Sequence, residues 1–231
     1  MSARRRFYKI VTVTPERAVA LDGKLIRTPR KELLALPTEA LAQAVAAEWE
    51  AQGEKIRPTT MLLTKLANTA IDRVSGDKPR ILAEMVDYAG SDLVCYRAAR
   101  PPDLVVSQAA NWNPVIDWAL RSLDAPFIVI TGVIHQPQPP AALWAVGAAL
   151  AQLNSFEIAA LHTIMTITGS TLISLMLAMR AITAEAAWTT AHADEDFQIK
   201  TWGQDGEAQL RRAARQREFV SCCRFLELSK S

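Results

Sequence analysis

Cysteine is scarce in this chain of 231 residues, and neither sign of charge is in excess. The three cysteines, Cys95, Cys222 and Cys223, are odd in number and lack the spacing of zinc ligands, so we expect neither a disulfide framework nor a zinc site. The 26 Lys and Arg nearly balance the 24 Asp and Glu, which leaves a formal charge of +2. Nucleic-acid-binding proteins usually carry a one-sided basic field, so the composition argues against that class. A reducing compartment fits the cysteine content.

The sequence also lacks the short motifs that mark nucleotide-binding and catalytic sites. It contains no GxGxxG after a predicted strand, no P-loop, no GxSxG and no HExxH. We therefore predict no cofactor, no metal ion and no catalytic residue. A binding function in this chain would have to work without ATP.

Long apolar runs are absent except for residues 158–179, where His162 is the one ionisable side chain. The run reaches the ~20 residues that span a bilayer. It also carries six Ser and Thr side chains, with Gly169 midway, and it lacks flanking aromatic belts. We predict a buried helix broken near Gly169, and a membrane-associated protein remains the alternative. The amino-terminal sequence MSARRRFYKIVTV shows no apolar leader, so we predict a cytoplasmic protein.

The first third of the chain has the pattern of strands followed by a helix. Residues 7–14 alternate in polarity, and Asp22-Gly23 between two apolar runs is typical of a type I′ hairpin turn. A short strand is predicted at residues 33–36. Thr38 then provides a helix cap, and the helix at residues 39–52 ends before Gly53. These elements predict a small β-sheet domain over residues 1–60.

The remainder, residues 61–231, is predicted to form a mainly helical domain, so the expected fold class is α+β. One β-branched stretch, residues 127–131, is predicted as a strand, and one option for it is to rejoin the N-terminal sheet. The predicted helices follow from apolar spacing and from Gly and Pro breaks. They cover residues 61–74, 79–88, 107–123, 141–153, 156–182, 183–196 and 207–228.

The segment DEDFQIKTWGQDGEA, residues 194–208, places five carboxylates around one tryptophan and is here called the acidic segment. In a helical projection one quarter-turn arc holds Asp194, Glu195, Gln198, Trp202 and Asp205. A solvated helix face would carry the carboxylates but would not ordinarily expose Trp202, because tryptophan is enriched in the energetic centres of interfaces. The segment therefore favours a functional surface.

Other chemistry remains open at this stage. A small enzyme, a hydrolase or transferase, could use the carboxylate cluster or Cys95 as its reactive group. His192 and Asp196 lie one helical turn apart, although a surface histidine is the more common role than a metal ligand. Asp92 and Arg97 could form an internal ion pair. Asn68 and Asp72 share a helix face and could clamp a neighbouring loop.

The chain resembles the α-subunit-specific assembly chaperones of the catalytic head of the F-type ATP synthase, and the likeness covers nearly all of it. The matching stretches include RFYKIVTV, LDGKLIRTP, LPTEALAQAVAAEWEAQGEKIRP, MLLTKLANTAIDRV, YAGSDLVCYR, WNPVIDWA and TGS. The acidic segment matches the family pattern D-E-x-x-Q-x-x-x-W-G-x-D-x-E-A. Mitochondrial members carry a long leader that is missing here, so the short start is similar to that of bacterial members.

The resemblance implies a small β-containing domain followed by a larger helical one, and a protein that is not an enzyme. It implies a partner, the free α subunit, whose β-facing surface the chaperone covers until the β subunit arrives. Neither nucleic acid nor stable membrane insertion is expected. The partner-binding residues that it implies are Asp194, Glu195, Gln198, Trp202, Asp205 and Glu207, and among these we favour Glu195, Asp205 and Glu207 as partner-facing. Trp49 also matches the family, and we interpret it as a core residue between helix and sheet.

Overall fold

The structure is a computed structural model that describes residues 5–132 and 134–230. The beginning of the amino-terminal pattern used above, residues 1–4, lies outside this range. The described residues form two compact units. The N-terminal unit takes its residues from Met1–Lys78, Asn154–Ala160 and Ser221–Ser231, and the helical unit consists of Pro79–Leu153 and Leu161–Val220. A domain boundary at residue 60 stays a prediction.

The N-terminal unit contains a three-stranded antiparallel sheet in the order β1 (Val11–Val13), β2 (Val19–Leu21) and β3 (Lys24–Leu25). Leu21 pairs with Lys24, so Asp22 and Gly23 form the two-residue turn, with φ angles of 47° and 77°. Positive φ at both positions is the requirement of a type I′ turn, and the predicted hairpin is confirmed. The first strand is shorter than predicted, and residues 33–36 form only isolated bridges to Ala18 and Arg27.

Helix α1 (Glu39–Glu50) packs against this sheet. Thr38 accepts a hydrogen bond from the amide of Leu41, which satisfies one of the free N–H groups of the first turn, as predicted. Leu41 and Val45 are fully buried. A second cluster holds Tyr8, Leu21, Ile56 and Met61, and Trp49 packs against it. Helix α2 (Leu62–Thr69) follows and continues into a π-helical turn (Ala70–Val74) and then α3 (Ser75–Ala89).

The helical unit contains α3 from Pro79 onward and the elements that follow it, except that the start of α6 and the end of α10 belong to the N-terminal unit. Pro114 lies inside α4, which begins earlier than the helix predicted for residues 107–123. The helices are α4 (Pro102–Leu123), α5 (Pro140–Ala151), α6 (Ser155–Thr168), α7 (Thr171–Ala178), α8 (Ala184–Ala191), α9 (Ala193–Trp202) and α10 (Gly206–Leu228), and the two short strands are β4 (Tyr96–Arg97) and β5 (Ile130–Thr131). Together with the small sheet of the other unit, they confirm the α+β fold class.

The strand predicted at residues 127–131 does not rejoin the N-terminal sheet. Its observed part, β5, pairs in parallel with β4, so that Tyr96 faces Ile130. The observed strand is also shorter than predicted: the amide oxygen of Gln138 accepts from Ile128 N at 2.7 Å, and its amide nitrogen donates to Ile128 O at 2.9 Å. These two bonds occupy the backbone groups that a longer ladder would need.

The apolar run at residues 158–179 is interrupted where the sequence predicts. Gly169 has φ +72°, a conformation that glycine adopts without steric cost, and it separates α6 from α7. Ser170 then caps α7 by accepting a hydrogen bond from Ile173 N. Within residues 5–132 and 134–230, no helix combines the length and the apolar character that crossing a membrane requires.

Candidate partner-binding surface

The acidic segment begins on α9, whose first turn contains Asp194, Glu195 and Asp196. Carboxylates at this end are favourable because the free N–H groups of a helix N-terminus carry partial positive charge. Asp194 is half-buried and accepts a hydrogen bond from the side-chain amide of Gln108 on α4 at 2.8 Å. It therefore joins α9 to α4, and its carboxylate is less available to a partner than we expected.

Glu195 and Asp196 form ion pairs with the arginines of α10. Both oxygens of Glu195 accept from the Nη2 atom of Arg215, at 2.8 and 2.9 Å. Asp196 binds Arg212, whose side chain is only 16% exposed. Because the arginine is largely shielded from water, this pair is held more firmly than an ordinary surface pair. The two pairs fix α9 against α10 and balance charge along the segment.

Asp205 does not belong to the arc predicted from the helical projection. Helix α9 ends at Trp202 because Gly203 takes φ +80°, and the arc is therefore confined to residues before it. Asp205 instead starts α10: its carboxylate accepts from Ala208 N at 2.8 Å and its carbonyl accepts from Gln209 N. This is the geometry of a helix N-cap, in which the carboxylate remains exposed on its outer side.

Three of the other predicted residues lie at the surface. Glu207 is exposed and binds Arg211 one turn further along α10. Gln198 is exposed on α9. Trp202 is 76% exposed, which is unusual for the largest of the side chains. The structure thus places an exposed indole at the last residue of α9, in a segment where Glu195, Asp196 and Glu207 are paired with arginines.

Sequence reasoning missed Arg212 and Arg215, which complete this surface. Their spacing of about one helical turn within RRAARQR is a signal that they share a face of α10. The sequence does not show which acidic residues these arginines bind, because Glu195 precedes Arg215 by 20 positions. The residue pattern of α10 alone cannot identify a partner on another helix.

The interpretation of His192 as a surface histidine is wrong. His192 is 5% exposed and lies between α8 and α9, where its ring stacks on Trp188 with centroids 3.7 Å apart. Burial lowers its pKa, so the neutral ring is favoured. Trp188 precedes His192 by one helical turn, so the two rings are neighbours. Helix α8 ends at Ala191, a break that the predicted helix over residues 183–196 did not include. In the described part of the chain, no group of three or more His, Cys, Asp or Glu residues is placed to hold a metal ion.

Cys95 is poorly suited to the role of nucleophile that the enzyme hypothesis gives it. Its side chain is fully buried, and burial together with the nearby Asp92 carboxylate raises the pKa of the thiol to about 12. The reactive thiolate is then scarce at neutral pH. The expected ion pair between Asp92 and Arg97 is also not formed. Asp92 accepts from the amides of Val94 and Leu172, and Arg97 donates to backbone carbonyls and to Asn113.

A second concave surface lies in the N-terminal unit, beside α2 and the π-helical turn. Of the two residues expected to clamp a neighbouring loop, Asp72 does so, because it accepts from the Thr28 hydroxyl and from the amide of Arg30. Trp49 contributes one edge to this groove while its ring packs edge-on against Tyr8, with centroids 5.8 Å apart. The core role expected for Trp49 therefore describes only part of its environment.

Comparisons with a family model, with solved structures and with curated proteins all find ATP12 proteins. A family model described as the ATP12 chaperone protein matches residues 5–120. The crystal structure of Atp12 from Paracoccus denitrificans is 40% identical, with a TM-score of 0.91 over 98% of this chain and 99% of that one. A solved protein of Agrobacterium tumefaciens is also 40% identical, with a TM-score of 0.92 over 98% of this chain and 86% of that one. The mitochondrial protein atp12 of Schizosaccharomyces pombe is 22% identical over 214 residues, covering 86% of this chain and 74% of that protein.

Proposed function

Since the chain belongs to the ATP12 chaperone family and is thereby an F-ATPase assembly chaperone, we propose that its client is the free α subunit of the catalytic head. In this proposal it covers the surface of α that is destined for the β subunit, until β replaces it. The acidic segment forms the contact. A cytoplasmic location is part of the same proposal, and cell fractionation tests it.

The observation that carries this proposal is the exposure of Trp202 at the end of α9. A large aromatic side chain left in water loses the free energy that its burial would provide, and in interfaces such residues dominate the binding energy. The surrounding ion pairs hold α9 and α10 in place, so little ordering of backbone is needed on binding. Trp202 is therefore the proposed anchor.

The exposed carboxylate of Asp205 would steer the encounter with a basic surface of α, and Glu207 would add to it because its pair with Arg211 is exposed and therefore weak in water. Glu195 has a different role in binding, because both of its carboxylate oxygens already accept hydrogen bonds from Arg215. It acts by positioning α9 against α10 and meets the client as part of a neutral pair. Release requires no ATP, since a β surface that binds α more tightly displaces the chaperone by competition.

The experiment is a calorimetric titration of this protein against isolated α and isolated β subunits of its own ATP synthase, at low and high salt. We expect binding to α alone, weakened by salt because of the charged contribution. Trp202→Ala should lower the affinity by about 2 kcal/mol, roughly 30-fold. Asp205→Asn keeps the helix cap while it removes the charge, so together with Glu207→Gln it should mainly reduce the salt dependence.

Trp144→Ala serves as the matched control, because Trp144 is 77% exposed on α5, away from the acidic segment in sequence. Its affinity for α should stay close to that of the unaltered protein. Equal losses of affinity from the two alanine variants would contradict the proposal, because an exposed tryptophan would then contribute to binding whether or not it belongs to the acidic segment. Binding to β as tight as that to α, or binding to neither, would overturn the proposal.

A further inference from the structure

The groove beside α2 has a volume of about 550 Å³ and lies wholly within the N-terminal unit. Its walls are largely apolar, and they include Trp49, Ile56, Pro58 and Met61. Volumes of about 300–1,000 Å³ with few polar groups are typical of binding sites. The groove is therefore large enough to receive a bulky side chain together with part of its backbone.

Most polar side chains that line the groove are already satisfied within the protein. The Thr64 hydroxyl donates to Glu48 at 2.8 Å, and the Thr69 hydroxyl donates to the carbonyl of Lys65 at 3.0 Å. Asp72 uses both of its oxygens on the loop that it clamps. These groups stabilise the walls of the groove, and their hydrogen bonds are made without an external ligand.

Two polar atoms of the lining differ from the rest. The indole nitrogen of Trp49 and the amide oxygen of Asn68 are both buried, and neither has a hydrogen-bond partner among the residues that the structure describes. A buried polar atom without a partner destabilises a fold, and such atoms are rare in native proteins. One atom is a donor and the other an acceptor, and both belong to residues that line the same groove.

The helix at the wall of the groove is irregular, and its rim is basic. Residues Ala70–Val74 form a π-helical turn, a rare conformation that frequently occurs at functional sites. The exposed side chains of Lys65 and Arg73 line the groove. These two cations outnumber the one carboxylate of the lining, Asp72, so the net charge of the lining favours an acidic group on the ligand.

We propose that this groove binds an extended segment of the client protein, with a large apolar side chain flanked by an acidic residue. A peptide group offers one carbonyl oxygen and one N–H, which are the complements of Trp49 Nε1 and Asn68 Oδ1. An extended segment leaves these backbone groups free, whereas a helix would have used them. The groove is a second client contact that rests on the proposed function, since it names the same α subunit.

The first test replaces Asn68 with leucine and measures both thermal stability and affinity for isolated α. Asn68→Leu removes an unpaired acceptor and adds apolar surface, so the melting temperature should stay constant or rise. The affinity should fall roughly two- to tenfold, the effect of one lost hydrogen bond. A variant that keeps or gains thermal stability while it loses affinity identifies Asn68 as a binding group, because loss of a structural group would lower the stability. Gln43→Leu, on the exposed face of α1 outside the groove, is the control and should change neither quantity.

The second test observes Trp49 directly. The chain has six tryptophans, and the indole resonance of Trp49 in a ¹⁵N spectrum is identified by its loss in Trp49→Phe. Overlapping short peptides that cover the α sequence serve as probes. We expect one acidic-apolar peptide to move the Trp49 proton downfield, as formation of a hydrogen bond requires, and to leave the Trp144 resonance unmoved.

The outcomes separate the two hypotheses. If the unaltered protein binds α and Asn68→Leu binds it equally well, or if no peptide moves the Trp49 resonance, the groove is not a client site while the proposed function stands. If the unaltered protein does not bind α, both proposals fall. A peptide that moves every tryptophan resonance alike would also overturn the groove assignment.

Discussion

Trp49 and Trp202 are the same side chain in two opposite settings. Trp49 packs against a core cluster and lines an apolar groove with a buried, unpaired nitrogen. Trp202 stands exposed at the end of α9, in a segment whose Glu195, Asp196 and Glu207 carboxylates pair with arginines. In the first setting the buried nitrogen lowers the stability of the fold and is able to form a directed hydrogen bond. In the second setting the exposed ring provides apolar surface that a partner can bury. The contrast shows that the same side chain supports two different binding proposals, a directed hydrogen bond at Trp49 and an exposed apolar surface at Trp202.

The largest expected effect that separates the two tryptophans is on stability. Trp49→Ala should lower the free energy of unfolding by about 3 kcal/mol, because it removes an aromatic side chain that packs on Tyr8 and leaves a cavity. Trp202→Ala should change it by less than about 0.5 kcal/mol, since the side chain is exposed. Urea unfolding of both variants measures the difference. Similar losses from both would mean that the two settings are not as distinct as we argue.

The next effect contrasts a buried and an exposed aspartate, one in each unit. Burial raises the pKa of Asp92 to about 6 in spite of its hydrogen bonds from Ser170 and from backbone amides. Protonated Asp92 therefore favours the folded state. This contribution is complete below pH ~4 and is lost as the pH rises through about 6. It corresponds to about 2–3 kcal/mol.

Asp92→Asn tests this, because the variant is neutral at every pH. The stability difference between the unaltered protein and the variant should fall by about 2–3 kcal/mol between pH 4 and 7, measured by urea unfolding. The opposite sign is expected for Asp22, whose pKa is lowered by hydrogen bonds from the amides of Ile10 and Lys9. Its contribution is present at neutral pH and is lost as the pH falls below the ordinary value. A flat difference for Asp92→Asn would contradict the assignment.

The smallest effect concerns the two kinds of ion pair on α10. Arg212→Met should destabilise the protein by about 1–2 kcal/mol, because it leaves Asp196 and Glu195 without a shielded cation. Arg211→Met, which removes the exposed pair with Glu207, should cost less than about 0.5 kcal/mol. Thermal unfolding at low and high salt measures both. Equal effects would show that burial does not strengthen the Arg212 pair.

The sequence predicts those features that depend on neighbouring residues. Asp22-Gly23 determines a turn, Thr38 a helix start and Gly169 a helix break, because each acts through its own backbone angles or a hydrogen bond one turn away. The features that it does not predict depend on residues that are distant in sequence. Glu195 is engaged by an arginine of the next helix, 20 positions away. The stacking of His192 on Trp188 is local, but the burial of His192 depends on the packing of α8 and α9 against α4. The candidate surface is thus found from sequence, while its charge balance is not.

The double hydrogen bond between Gln138 and the backbone of Ile128 has one more consequence. Ile128 and Val129 are apolar and substantially exposed, next to a two-stranded sheet. Such an open edge is a template on which another chain can add as a strand and start aggregation. The side-chain amide of Gln138 occupies both backbone groups of Ile128, two residues before β5, as a neighbouring strand would. Another chain can pair with these two groups only after it displaces Gln138.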